Sequence, residues 1–410
     1  MSFAALWESL LPVGRDSGTG GYRRFSWTPA DAECRRWFIK AAEERKLRPD
    51  TDRNGNLWAW WDPPGTADRG ATPGAVVTGS HLDSVPDGGA FDGPLGVVTA
   101  FAAIDLMRER GQVPARPLGV AAFCEEEGAR FGVACLGSRL LAGAIEPGRA
   151  GGLRDRDGIT FAEAMTAAGR DPAAIGPDPG LVAGIAAYVE LHIEQGRALA
   201  DVDAAIGVAE RIWPHGRWRL TFTGRADHAG TTRLADRHDP MLAGAAAILA
   251  AREAAARHGA LATVGKVAAE PGAVNAISSA VTAWLDARAP DEPRLRAVVD
   301  DVLAQARAAA AAHGVDLAAS EESVTPAVDF DAALRDRMVA TLAAAGIRAP
   351  VLATGAGHDA GVLAAQVPAG MLFVRNPTGV SHSPAEHAEP GDCATGVTAL
   401  AAVLEDLACH

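Results

Sequence analysis

Aromatic residues make up only 5% of this 410-residue chain, and just two of them are tyrosine. Long apolar runs are missing as well. A membrane helix needs about 18 or more consecutive apolar residues, and no such stretch occurs, so no membrane partner is expected. Basic runs are absent and the formal net charge is −13, which argues against a nucleic-acid partner, because phosphate binding needs clustered lysine and arginine. The first residues, Met1 to Glu8, lack the basic start and apolar centre of a signal peptide. Cysteines number five, at Cys34, Cys124, Cys135, Cys393 and Cys409. They are widely spaced and never form a CxxC, which disfavours both a disulfide framework and a thiolate zinc site. Reduced thiols and a cytoplasmic location are expected instead. There is no Gly-x-Ser-x-Gly elbow for serine catalysis, and Gly18 to Gly21 lack the lysine and spacing of a phosphate loop.

What is present is a chain that is 48% hydrophobic and long enough for two domains. Its first half alternates between period-3.6 and strand-like segments. Ala30 to Arg45 and Gly96 to Glu109 read as helices. Asn56 to Trp61, Val76 to Gly79, Leu118 to Phe123 and Ala187 to Ile193 read as strands. Residues 144–180 read as a loop with one short helix at Phe161 to Ala168. From about 208 the pattern changes. Arg217 to Gly224 alternates polar and apolar residues, as a half-exposed antiparallel strand does. Strands at Ala262 to Val267 and Val281 to Asp286 and helices at Asp239 to His258 and Pro293 to His313 complete this region. A helix at Ala332 to Ala345 and a strand at Ala369 to Val374 then restore the earlier rhythm. The expectation is an α/β protein with a mixed, mostly parallel sheet flanked by helices, split into residues 1–208 and 325–410 by a smaller α+β insert at 209–324.

Chemistry-bearing residues gather where predicted strands end. His81, Asp83 and Asp92 follow the run Gly74 to Thr78, and Glu125-Glu126-Glu127 follows Leu118 to Phe123. In α/β sheets ligands collect at such strand ends. A two-metal hydrolase needs a bridging carboxylate, terminal ligands for each ion, and a base for the attacking water. His81, Asp92, Glu127, His192 and His382 could supply the ligands, and Glu126 the base. Asp83 could accept the second ring N–H of His81. On spacing alone the glutamate run could also be a solvated patch and each histidine a surface or core residue.

Six segments narrow the choice: Gly79 to Pro86, Phe91-Asp92-Gly93, Glu126 to Phe131, Glu190 to Gly196, Gly224 to Thr232 and Ser381 to Glu386. In content and order they resemble the zinc-dependent amidohydrolases related to aminoacylase and carboxypeptidase G. Within that group the chain looks most similar to the branch of N-carbamoyl-L-amino acid hydrolase, β-ureidopropionase and allantoate amidohydrolase, because His192 stands where the peptidase relatives often have a carboxylate and is followed by Glu-Gln-Gly. The resemblance implies two divalent metal ions per subunit, zinc first, with manganese, cobalt or nickel as alternatives. Asp92 would bridge them, with His81 and His192 on one ion and Glu127 and His382 on the other. A metal-bridging hydroxide would attack a carbamoyl carbon with Glu126 as general base. The insert would be a lid and dimerisation domain of a homodimer, and His228 would stabilise the oxyanion in the partner's site. Gln195, Asn275, Arg288 and Gly379 would bind a small carboxylate-bearing carbamoyl or ureido substrate. N-carbamoyl-L-amino acids come first, allantoate or ureidoglycolate second, and an aminoacylase or dipeptidase reaction third. The competing class is a metal-free scaffold that kept only the fold. Two departures stand out: the bulk and charge of Ala209 to Arg217, and Arg375-Asn376-Pro377. His358 and Asp359 are read as structural support.

Overall fold

A computed structural model describes residues 2–64 and 74–409. Along the chain its strands are β1 (Arg48–Thr51), β2 (Leu57–Trp61), β3 (Ala75–His81), β4 (Leu118–Phe123), β5 (Ile185–Ile193), β6 (Ile206–Ile212), β7 (His215–Thr223), β8 (Asp227–His228), β9 (Leu261–Glu270), β10 (Ala276–Ile277), β11 (Ala280–Arg288), β12 (Asp316–Thr325), β13 (Val328–Asp329), β14 (Val351–Thr354) and β15 (Ala369–Val374). The residues divide into two units, Met1–Glu210 with Asp329–His410, and Arg211–Val328.

The larger unit is built on a sheet of order β1-β2-β4-β3-β5-β15-β6-β13, with β14 also paired to β6. Its centre, β4-β3-β5-β15, is parallel, while β1, β2 and β6 pair antiparallel to their neighbours. The parallel strands β3, β4 and β15 are mainly apolar and buried along their length, as strands covered on both faces must be. On one face Val76, Val120, Leu191 and Leu372 pack with Phe38, Phe101 and Leu400, from the helices Pro29–Glu44, Pro94–Glu109 and Pro390–Cys409. Successive side chains alternate between faces, so Glu190 and His192 point the other way. There His192 meets His358, ring to ring at 4.5 Å.

The smaller unit is an antiparallel sheet of order β12-β7-β11-β9. Strands β7 and β11 alternate buried and exposed residues, so one face is wet and one dry. The dry face carries Leu220, Phe222 and Leu285, packed against Ala243, Ala247, Ala254, Val298 and Val302 of the helices Pro240–His258 and Glu292–Ala312. A short β8–β10 ladder pairs His228 with Ala276.

Several elements differ from expectation. Residues 144–180 hold more helix than one segment: Pro147–Gly151, Phe161–Ala167, a 3₁₀ turn at Pro172–Ala174, and Pro179–Gly184. Each is short and starts at or beside a proline or a capping residue, which local patterning reads as loop. Strand β12, Asp316–Thr325, is almost wholly exposed, so it lacks the buried face that makes a strand readable. Strands β6 and β14 and the buried C-terminal helix Pro390–Cys409 were also not anticipated. No helix among the described residues is long and apolar enough to cross a membrane.

Candidate metal centre

Parallel strands put their carboxyl ends on one edge of the sheet. His81 is the last residue of β3, the three glutamates follow β4, His192 lies next to the end of β5, and the loop carrying His382 follows β15. Asp92 sits just ahead of the helix Pro94–Glu109. Chain segments remote in sequence therefore meet at one place.

Asp92 lies at the middle of that place. Its Oδ1 is 3.4 Å from His81 Nε2 and 3.2 Å from His192 Nε2. Its Oδ2 is 3.4 Å from His382 Nε2, which in turn lies 3.6 Å from Glu127 Oε2. Two donor groups result, His81–Asp92–His192 and Asp92–Glu127–His382, each with ligand atoms within 4.8 Å of one another. Glu126 Oε2 stands 3.6 Å from His81 Nε2, beside the first group.

The rings are aimed by the backbone. His192 Nδ1 lies 2.8 Å from the Ile193 carbonyl, and His81 Nδ1 lies 3.1 Å from the Asp83 carbonyl. A ring that donates Nδ1–H to a carbonyl carries its lone pair on Nε2. The Gly93 amide donates to His192 Nε2 at 3.2 Å, which requires that nitrogen to be unprotonated. Gly93 has φ +81°, and a Cβ there would run into the His81 ring, so only glycine lets Asp92 and His81 come this close.

Other groups fix the carboxylates. Asp83 was expected to take the His81 N–H through its carboxylate. Instead its carbonyl is nearer, with Oδ1 at 3.5 Å, and the carboxylate accepts the backbone amides of Glu126 (3.2 Å) and Glu127 (3.1 Å). Asp92 Oδ2 accepts Gln195 Nε2 at 2.7 Å. Gln195 was expected on the substrate; its amide nitrogen is spent on Asp92, while its Oε1 is buried without a partner. Gln195, His382, Glu125 and Cys135 all have φ between +54° and +59°. Such backbone costs roughly 1–3 kcal/mol per residue and gathers where function holds it in place.

Charge in the site is lopsided. Burial pushes the Glu126 carboxyl well above its usual range, against the pull of His81, and lifts Glu127 to about 7. Burial also opposes ionisation of Asp92, but the imidazoles of His192, His382 and His81 close around its carboxylate hold it well below the ordinary value. His382 is raised to about 9, mainly by its hydrogen bond to Asp92. Carboxylates crowded in a dry pocket take up protons or cations. His81 Nε2 is buried with no hydrogen-bond partner, and the nitrogen and oxygen donor set suits first-row divalent ions. The residues present fit a pair of such ions. A third group, Glu190–His192–His358, shares His192, whose nitrogens already face Ile193 and Asp92, so it offers no complete set.

In the smaller unit, His228 Nδ1 accepts the amides of Gly230 (3.0 Å) and Thr231 (3.2 Å). Its ring proton therefore sits on Nε2, on an exposed side chain free to donate. The Ala229 amide bonds the Asn275 carbonyl at 3.0 Å, so His228 and Asn275 are neighbours. Arg288 grips Asp286 at 2.9 Å, and carboxylate binding would need it to share or exchange that partner. In the larger unit the Gly379 amide is taken by Asn376 Oδ1 at 2.9 Å, leaving only its carbonyl for a ligand. Asn376 also accepts the Thr378 amide and donates to the Val380 carbonyl, while Arg375 grips Asp392 at 2.7 Å. The odd Arg-Asn-Pro segment thus scaffolds the His382 loop. Residues 209–217 form the end of β6 and the start of β7, where the chain passes from one unit to the other. Three contributors were missed: Cys135, whose Sγ lies 3.1 Å from Glu126 Oε1, and Ser381 and Glu386. The last two lie within the Ser-His-Ser-Pro-Ala-Glu segment, where a buried acid next to a ligand loop was the available signal.

The profile of Peptidase family M20/M25/M40 matches residues 77–406. The chain is 37% identical to an N-carbamoyl-L-amino acid amidohydrolase of Geobacillus stearothermophilus, over 96% of each chain. It is 34% identical to an allantoate amidohydrolase of Escherichia coli (strain K12), over 95% of this chain and 93% of that one. Among solved structures, an amidase of the hydantoinase/carbamoylase family from Burkholderia vietnamiensis superposes with a TM-score of 0.88 at 30% identity, covering 100% of this chain and 98% of the other.

Proposed function

The chain belongs to Peptidase family M20/M25/M40, and we propose that it is a two-metal amidohydrolase cleaving the carbamoyl C–N bond of N-carbamoyl-L-amino acids. It is a hydrolase of C–N bonds other than peptide bonds. The observation that carries the two-metal reading is Asp92, which turns one oxygen to His81 and His192 and the other to His382. His81, Asp92 and His192 would hold one ion, and Asp92, Glu127 and His382 the other.

Two divalent ions there would polarise the substrate carbonyl and acidify a water. Glu126 takes the proton of the attacking water and passes it to the departing nitrogen. Its burial suits it to both halves of that task, because a raised pKa lets it hold the proton between the two steps. His228 supplies an exposed Nε2–H for a developing oxyanion. Arg288 and Asn275 take the substrate carboxylate, Arg288 by exchanging Asp286 for it. Gln195 meets the substrate through its unpartnered Oε1, and Gly379 through its carbonyl. The products are the free amino acid, CO2 and ammonia.

Residues 1–208 and 325–410 act as the catalytic domain and 209–324 as the lid and dimerisation domain. A homodimer is supported by the surface of the smaller unit. The helix Pro240–His258 exposes Met241, Leu242, Ile248 and Leu249, the last 66% accessible. Beside them β9 ends the sheet with its outer edge unpaired among the described residues and exposes Leu261 and Val267. An apolar helix face next to a free edge is suited to a second copy. The five cysteines are all free, which supports a reducing, cytoplasmic setting.

The test is ammonia release from a panel of N-carbamoyl-L-amino acids, allantoate and ureidoglycolate, with Glu126→Gln as control. The expected result is turnover of carbamoyl amino acids that falls ~10²–10⁴-fold in the control. Preference for allantoate or ureidoglycolate would move the substrate within the same chemistry. Equal rates in the control would remove Glu126 from the reaction.

A further inference from the structure

Glu386 comes from the far end of the sequence, yet its side chain is buried at 6% exposure beside Asp92. Its Oε2 accepts the backbone amides of Phe91 at 2.9 Å and Asp92 at 3.0 Å. Its Oε1 lies 2.9 Å from Ser381 Oγ. Ser381 immediately precedes His382, and its Oγ also stands 3.2 Å from Asp92 Oδ2. One carboxylate thus bonds the main chain of one ligand-bearing loop and the neighbour of a ligand in the other.

The surroundings are shaped to admit it. A Cβ on Gly89 would collide with the Glu386 carboxylate, so the second glycine of Gly88-Gly89 is required by the close approach of this side chain. Oε2 faces two backbone amides and so must be an acceptor, while Oε1 faces a hydroxyl, which can donate or accept. Ser381 has a single proton for two carboxylates, so it can serve Glu386 or Asp92 but not both at once. Two acids held this near to each other need positive charge close by, and Asp92 is where the proposed ions meet.

We propose that Glu386 is a positioning residue that locks the Asp92 loop to the His382 loop and so forms the cation position made by Asp92, Glu127 and His382. The proposal rests on the two-metal reading above. It assigns Glu386 no direct contact with an ion. The other position, His81–Asp92–His192, takes its two histidines from strand ends and no ligand from the His382 loop, so loss of Glu386 should weaken the cation at Asp92–Glu127–His382 far more than the other.

The experiment is calorimetric titration of the chelator-stripped full chain with Co2+, followed in parallel by the visible spectrum of bound cobalt. Wild type is expected to take up two equivalents. Glu386→Ala should keep the first with the smaller change in affinity and bind the second ~10–100-fold more weakly, the usual scale for residues that orient metal ligands. Glu386→Gln should restore the second step, because its amide oxygen can accept both backbone amides while its NH2 donates to Ser381. Rescue by glutamine separates positioning from a need for negative charge. Ser381→Ala, a smaller change in the same link, should weaken only the second step, and it carries the test alone should Glu386→Ala fail to fold. Two wild-type-like steps in Glu386→Ala, or an unchanged second step in Ser381→Ala, overturn the clamp while leaving the two-metal reading intact. A wild-type chain that binds fewer than two equivalents defeats that reading and the clamp together.

Discussion

Asp83 holds Glu126 and Glu127 together by their backbone, one carboxylate oxygen to each amide, at 3.2 and 3.1 Å. The proposed base and a proposed ligand therefore share one anchor. Asp83→Ala removes both acceptors and strands two amides in a dry setting. The expected outcome is a loss of activity of ~10–100-fold or more with reduced metal content, read by ammonia release and elemental analysis on the same preparation. Wild-type rates in the variant would show that the glutamates are held by the fold alone.

Removing a terminal ligand should cost one ion, and removing the shared one should cost both. His192→Ala and His382→Ala are each expected to retain about one equivalent, whereas Asp92→Ala retains little, because only Asp92 belongs to both groups. Metal content after dialysis against a weak chelator distinguishes these cases. Loss of both ions in His382→Ala would contradict two separable positions.

The thiols should be inert in the folded chain. Burial pushes Cys34 to about 11 and Cys393 to about 12, and Cys124 and Cys135 are raised well above the usual thiol range by the same cause. The reactive form is the thiolate, so at neutral pH almost none is available. Cys409 is the least enclosed. A thiol reagent at pH 7.5 should label at most about one cysteine quickly in the native protein and all of them after denaturation. Rapid native labelling of several would mean that these sites open readily.

A charge on the exposed face of the helix Pro240–His258 should block self-association. Leu249→Glu leaves the core of the smaller unit untouched, since Leu249 is exposed, and should give a monomer by light scattering. If His228 serves a partner's site, that monomer should keep its metal but lose most of its activity. A dimer of unchanged stability would place the interface elsewhere.

Some of the metal-centre candidates carry a signal of their own because they sit at or directly beyond the end of an apolar strand, where a charge run is out of place on a mere surface. His81 after Val76-Val77 and Glu126 after Val120 to Phe123 are of this kind. Asp83 was noticed, but for a different contact, because sequence cannot show that its carboxylate turns to two amides more than forty residues away. Glu386 and Ser381 give no local sign of their contacts with the distant Asp92 loop, and Cys135 gives none of its contact with Glu126. The parallel core was legible from unbroken apolar runs. Strand β12 was not, since Ser320-Glu321-Glu322-Ser323 offers no alternation and only its pairing with β7 makes it a strand. The C-terminal helix carried a readable signal, a proline in its first turn ahead of a long apolar stretch.

Strand β15 slots between β5 and β6, in the interior of the larger sheet, although it follows both by well over a hundred residues. Until it is inserted, the loop bearing Ser381, His382 and Glu386 has nothing to hang from. On the proposed two-metal reading, a chain not yet extended through Glu386 lacks one of the two cation positions and carries no complete hydrolytic centre to act on its surroundings. Nascent chains arrested before Ala369 should take up no more than one cobalt ion, and full occupancy should require the chain through Glu386.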